Sequence, residues 1–458
     1  MRAAALLLAL TVAYQTQPPA PRQAPPPAGP PKDFTLPAPK RFKLDNGLAV
    51  TMVPFGQVPK VTIRVVVEAA NVHERADQVW LADLTGSLMR EGTAELAADA
   101  LAREFAGMGG ELAVSVGQDT AYASADVLAD RAPQAVQLLA DVVARPRFPE
   151  SEFERVKANL LRDLAIRKSS PQATASAKFA ELVYGDHPYG RIFPTEAMVK
   201  GYTLDQVRAF HKAHFVASRA RMYVAGVFDP ASMEASIRKI FGAWESGAPG
   251  EKPRVLSTRE RQFALLDRAG APQSTVLMGL RVVDPAHADW IALQVTDGLL
   301  GGTFASRITA NIREQKGYTY SPFSTVETHP GSGVWIESAD VTTNVTGASL
   351  KEITFEIERL RKEPPPEAEL QGVKNALAGL FVVRNSSRGG VIGQLAFVDL
   401  HQLGDGYLSS YVKSLMAVTP VDVQRIANTY LASDKMTIVV VGDTKTVKGQ
   451  VAPWAKGK

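Results

Sequence analysis

The chain contains no cysteine among its 458 residues. A disulfide framework, a thiol nucleophile, a thiolate zinc site and a lipid anchor on cysteine are all excluded. Histidine is sparse: of seven, only His211 and His214 lie close together. "HKAHF" sets them at i and i+3 of a helix, where two ring nitrogens could share a metal. No carboxylate follows at a useful spacing, so surface or partly buried helix residues are the plainer expectation. A strong charge of one sign is lacking as well. A formal net charge of +4, with no basic cluster, offers nothing to nucleic acid. Beyond the N-terminus no apolar run approaches a membrane-spanning length. A G-x-S-x-G elbow and a phosphate-binding loop are also missing.

What is present is ordinary in bulk, with 45% hydrophobic and 21% charged residues, and too long for one core. Two large domains are expected. The start, "MRAAALLLALTVAYQTQPP", has one arginine, a short apolar run and small residues near Ala13. It predicts a signal peptide over residues 1–13 and export to the bacterial periplasm, with an uncleaved anchor as the alternative. The run is too short to cross a bilayer comfortably. Residues 14–39 are rich in proline ("PPAPRQAPPPAGPP") and predict an extended linker.

An internal repeat organises the rest. "TLDQVRAFHKAHFVASRARMYVAGVFD" from Thr203 returns as "TPVDVQRIANTYLASDKMTIVVVGDTK" from Thr419. "VKANLLRDLAIRKSS" from Val156 returns as "VKNALAGLFVVRNSS" from Val373. The two pairs keep nearly the same offset, which predicts two homologous α+β domains, 40–246 and 263–458, joined by a Gly/Pro-rich linker at 247–262. "KRFKLDNGLAVTMVP" reads as a hairpin around Asn-Gly. "VTIRVVVEAA" and "TAYASADVL" in the first half match "QSTVLMGLRV" and "GVWIESADV" in the second. Each domain is expected to hold a mixed, mostly antiparallel sheet with helices packed on one face.

The stretch "LADLTGSLMREGT", residues 81–93, carries the main question. Leu81, Leu84 and Leu88 form one apolar helix face. Asp83, Gly86 and Ser87 sit at i, i+3 and i+4, a spacing that suits a metal site. Yet glycine has no ligand to offer, and a neutral serine hydroxyl binds zinc poorly.

This helix resembles the metal-binding helix of the pitrilysin/insulinase family of zinc peptidases, the inverzincins, where H-x-x-E-H runs into a Gly-Thr turn. "DHPYGR" at 186–191 and "LLGGTFASRITANIREQKGYTYS" at 299–321 are similar to two further segments of that family. The likeness spans nearly everything from about residue 40 onward, and it implies two halves in a clamshell. It sets the family's first His on Asp83, its Glu on Gly86, its second His on Ser87 and its third ligand on Asp163. All four positions depart from the pattern. Catalytic zinc needs three good donors and an open position, and its water needs a base. The resemblance therefore implies a degenerate zinc site without metal, in which Asp83 and Asp163 are solvated or ion-paired.

The second half keeps more. In the resembled family an Arg and a Tyr seven residues apart hold the substrate backbone and stabilise the developing oxyanion. "REQKGYTY" retains them as Arg313 and Tyr320, with Tyr318 as an additional phenol. Local pattern alone reads Arg313 as paired with a helix carboxylate and Tyr320 as opening a half-buried strand. "GGELAVSVGQDTAYASADV", residues 109–127, resembles the edge strand that accepts substrate by β-addition. That makes Ala113 and Val114 substrate-binding positions, although the family's usual Asn near Ala113 is missing. The function implied is a non-catalytic, substrate-binding subunit that donates Arg313 and Tyr320 to a homologous partner with an intact H-x-x-E-H. Peptides would be the substrate, and zinc would reside in the partner. The alternatives are an inert structural or peptide-binding protein, and a stand-alone metallopeptidase using Asp83 and Asp163.

Overall fold

Lys60–Val67 shows how the sequence builds its first sheet. Val61, Ile63, Val65 and Val67 are fully buried in the first-half core, while Thr62, Arg64 and Val66 point the opposite way. The computed structural model describes residues 35–250 and 260–455. The expected signal peptide, most of the 14–39 linker and the centre of the 247–262 joint lie outside the described residues. Among the described residues no helix is long and apolar enough to cross a membrane.

The first half runs β1 (Lys40–Lys43), β2 (Ala49–Pro54), β3 (Lys60–Val67), α1 (Leu81–Met89), α2 (Ala98–Gly107), β4 (Leu112–Val116) and β5 (Ala121–Leu128). It continues through α3 (Ala132–Ala144), α4 (Glu150–Ser169), α5 (Pro171–Tyr184), α6 (Glu196–Lys200), α7 (Leu204–His214), β6 (Ala220–Gly226) and α8 (Pro230–Phe241). The second half runs β7 (Phe263–Asp267), β8 (Gln273–Val282), α9 (Trp290–Asp297), β9 (Phe323–His329), β10 (Ser332–Thr342) and α10 (Thr346–Lys362). It ends with α11 (Glu367–Arg384), α12 (Arg388–Leu400), α13 (Tyr407–Met416), α14 (Pro420–Tyr430), β11 (Thr437–Gly442) and α15 (Thr444–Ala455).

The strand orders are β1-β2-β6-β3-β5-β4 and β7-β11-β8-β10-β9. One pair in each sheet is parallel, β2 with β6 and β7 with β11, and the other pairs are antiparallel. Apart from the added β1, the two sheets share one topology, so the molecule is α+β with two homologous halves. Capping boxes start the repeated helices: Thr203 with Gln206 at α7, and Thr419 with Asp422 at α14.

Each sheet carries its own helices on one face, as the pattern predicts. The other face receives a helix from the opposite half. Helix α12 lies on β6 and β3, and α5 lies on β8 and β11. Ala175, Phe179 and Val183 of α5 pack with Leu277, Ile336 and Val439 of the second sheet. Gly279 makes this approach possible, because a Cβ there would stand 2.9 Å from the Phe179 ring. Polar ties repeat the exchange. Thr62 donates to Asp126, which Arg388 of α12 also grips; Thr275 donates to Asp340, which Gln172 of α5 also reaches.

A third tie joins the connector at 186–191 to the second half. The Tyr189 hydroxyl donates to Asp119 at 2.6 Å, and His329 Nδ1 donates to the other Asp119 oxygen at 2.7 Å. The Tyr189 and His329 rings stack, with centroids 3.8 Å apart. Asp119→Ala leaves both donors unpaired and should cost about 2–4 kcal/mol in urea unfolding. Tyr189→Phe leaves one Asp119 oxygen unpaired while His329 still holds the other, and should cost less, about 1–2 kcal/mol.

Candidate functional site

Helix α1 begins under tension. Trp80 at its N-cap has a left-handed backbone (φ 69°), which a bulky residue adopts at a cost. Buried Glu74 stabilises that entry. Its two carboxyl oxygens accept the N–H groups of Trp80 at 3.0 Å and Ala82 at 2.7 Å. The Trp80 indole donates to Ile192 O at 2.9 Å, and the Tyr202 hydroxyl donates to Val79 O at 2.6 Å. Burial pushes the Glu74 carboxyl up to about 8; the Ala82 hydrogen bond works against this and nearby Asp83 adds to it.

Leu81, Leu84, Leu88 and Met89 are buried, so α1 packs as its sequence pattern predicts. Asp83, Gly86, Ser87 and Asp163 line one open cleft of about 540 Å³. Its walls also include Val114 and Val116 of the edge strand and the segment Pro188–Phe193. The lining comes from the first half alone.

Asp83 departs from the solvated or ion-paired expectation. It is half-buried and accepts the Asn71 amide at 2.7 Å, a neutral partner. Burial raises its pKa more than that hydrogen bond lowers it. Ser87 and Asp163 are exposed. Gly86 is buried against β4, and a Cβ there would meet Val116 Cγ2 at 2.7 Å. The edge strand has moved its valine into the space a larger side chain would need.

Zinc does not fit this set. Asp83 and Asp163 offer carboxylates, but Ser87 offers only a neutral hydroxyl, and position 86 has neither a side chain nor room for one, so a third good donor and a general base are both missing. Arg90, Arg167 and Arg191 line the same cleft, and their charge opposes a divalent cation. Among the described residues no three ligating side chains gather in a metal-holding group. The histidine pair does not share a metal either. His211 is buried, with Nε2 2.9 Å from Val143 O, whereas His214 Nδ1 faces Arg219 Nη1 at 2.7 Å.

The expected substrate positions separate. Val114 lines the Gly86 cleft, but its neighbour Ala113 faces the other side of the sheet, into a second cleft. Tyr318 is half-buried against the second-half core.

Arg313 lies on a wide turn, Thr309–Gln315, wound with i→i+5 hydrogen bonds such as Lys316 N–H to Asn311 O at 3.0 Å. Its Nε contacts Glu314 at 3.0 Å, the helix carboxylate that local pattern suggests. Its guanidinium carbon is also 4.5 Å and 4.7 Å from the ring centroids of Phe304 and Tyr320. Those rings are 70% and 77% exposed, so Tyr320 projects into solvent rather than opening a half-buried strand. Sequence reasoning missed Phe304, Glu74, Asn71 and Val116. Only Phe304 carried a signal, as a bulky aromatic inside a glycine-rich turn.

The sequence profile of the insulinase family (peptidase family M16) matches residues 55–193, and that of the peptidase M16 inactive domain matches residues 201–377. The chain belongs to the insulinase family. The insulinase match spans α1 and its three departures, and the inactive-domain match spans Arg313 and Tyr320. An uncharacterized zinc protease of Mycobacterium tuberculosis is 27% identical over 360 residues, 78% of this chain and 80% of the relative. The Bacillus subtilis zinc protease YmxG, also uncharacterized, is 22% identical over 348 residues, 75% of this chain and 84% of the relative. In fold, the chain is similar to a peptidase M16 inactive domain from Pseudomonas fluorescens (TM-score 0.82, 24% identity, 89% of this chain and 98% of that one). It is likewise similar to a protease from Helicobacter pylori (TM-score 0.81, 21% identity, 89% and 100%). This chain is thus a protease-like insulinase-family protein, and its residues at 83, 86, 87 and 163 do not make a zinc ligand set.

Two outcomes test how the site has been rebuilt. Gly86→Ala improves helix propensity by about 1 kcal/mol but drives a methyl into Val116. The variant should lose about 1–2 kcal/mol net, and Val116→Ala should recover it in a double-mutant cycle read by thermal unfolding. Glu74, raised from 4.5 to about 8, keeps its proton in the folded chain where the unfolded chain has released it. Its contribution to stability is full below about pH 4.5 and declines as pH rises toward 8. Glu74→Gln should flatten that decline in urea unfolding across the same range.

Proposed function

We propose that this chain is the non-catalytic, substrate-binding subunit of a two-chain insulinase-family peptidase. Arg313 and Tyr320 are donated to the zinc site of a homologous partner that carries an intact H-x-x-E-H. There they hold the peptide backbone and stabilise the oxyanion, and the zinc belongs to the partner. The N-terminal sequence supports a setting outside the cytoplasm. One observation carries the reading: Tyr320 lies at the surface with its ring against the Arg313 guanidinium, while Gly86 is packed against Val116 and Asp83 is bonded to the Asn71 amide. A half-buried arginine braced by two exposed aromatic rings is suited to meet a carbonyl that gains negative charge.

The contact between Arg313 and Glu314 favours the alternative, an inert peptide-binding or structural protein, because it partly satisfies the guanidinium. Co-purification with the homologous chain and peptide-hydrolysis assays separate the two. The mixture should cleave where neither chain alone does. Arg313→Ala or Tyr320→Phe should lower kcat by roughly 10²–10³ with the complex intact. A mixture no more active than its parts, or variants that leave kcat unchanged, would overturn the proposal.

A further inference from the structure

The second cleft lies where the two halves meet, between the first sheet and the turn into α12. It has a volume of about 530 Å³, and Ala113, Arg64, Ser124, Asp126 and Arg388 are among its lining residues. The register sets Arg64 beside Ser124 and Ser124 beside Ala113, so one row of side chains crosses the floor from β3 to the free edge strand β4.

Arg64 stands out chemically. Its Nε is buried without a hydrogen-bond partner. The Tyr122 ring lies against it, 4.7 Å from the guanidinium carbon to the centroid. No hydrogen bond or ion pair links it to any other described residue. Burial lowers its pKa from the ordinary value, but an arginine keeps its charge in a protein. The other charges nearby are matched: Asp126 is held by Arg388 at 2.9 Å and by Lys60 at 2.9 Å. Two lining carboxylates oppose an anion, Glu111 at the exposed rim and Asp126, whose charge Arg388 and Lys60 offset. Arg388 and Gly389, the first residues of α12, border the cleft, and the free N–H groups at a helix start attract negative charge.

We infer that this cleft is a carboxylate-binding site in which the Arg64 fork receives an acidic side chain or a chain end of an extended peptide. Arg64 lies two strands in from the edge, roughly 10 Å. Ala113 and Ser124 offer only a methyl and a hydroxymethyl group along that route, and both line the same cleft as the guanidinium. A planar guanidinium takes a carboxylate through two parallel hydrogen bonds, which discriminates it from an amide of the same size. The peptide, though not the carboxylate, rests on the function proposed above.

Three labelled hexapeptides test the site on the full chain by fluorescence anisotropy. The first has a central Glu and an amidated end, the second Gln with an amidated end, and the third Gln with a free carboxylate. At least one acidic peptide should bind tenfold or more tightly than the neutral one, and which one does so identifies the side chain or the chain end as the source. Arg64→Met should abolish that preference. Ala113→Trp, an exposed substitution that closes the route without touching the arginine, should abolish it too. Equal binding of all three peptides to the unmodified chain, or a preference that survives Arg64→Met, overturns the site. The two proposals fail separately. A carboxylate preference without any effect of Arg313→Ala on a partner's activity removes only the donated pair, and the reverse removes only this cleft.

Discussion

The structure depends on covering the second face of each sheet. A sheet with helices on one side only would leave Val53, Tyr223 and Ala225, or Leu277, Ile336 and Val439, open to water. Each half solves this with a helix from the other. Helix α12 closes the first sheet and α5 closes the second. The exchange is reciprocal down to its polar detail, since Thr62–Asp126 and Thr275–Asp340 each meet the first turn of the incoming helix. Neither half could keep its sheet dry alone, so the joint between halves is part of both cores.

That shared core explains why the first-half cleft keeps its shape without a metal ion to organise it. The walls belong to elements fixed from elsewhere: α1 by its leucines and by Glu74, the connector at 186–191 by Asp119 and His329, and β4 by its pairing with β5. None of these depends on a metal ion. The side chains at 83, 86 and 87 therefore bear little of the scaffold's weight, and the space beside them holds Val116 and the Asn71–Asp83 pair.

Much of this was legible in the sequence, for identifiable reasons. The duplicated halves showed in capping boxes and buried strands that recur in step, as at Thr203 and Thr419. Strand alternation placed β3, β5, β8 and β10, and the leucine spacing placed α1. What stayed hidden was what depends on distant contacts. Nothing in the spacing of Asn71 or Glu74 marks them as partners of a helix several residues on. The exchange of α5 and α12 is invisible because an amphipathic helix does not name the sheet it covers. The i→i+5 turn that carries Arg313 has no residue period of its own. Arg64 passes unnoticed in the sequence as one polar residue of an alternating strand, and only the opposite half turns its side of the sheet into the wall of a cleft.

The contact between Gly86 and Val116 couples two elements that the chain order keeps apart. Any side chain larger than glycine at position 86 would collide with Val116, so helix α1 can change there only if β4 gives way with it. Positions 87 and 163, both exposed, carry no such tie. The freedom of this cleft to vary is therefore uneven, locked at its floor and open at its rim.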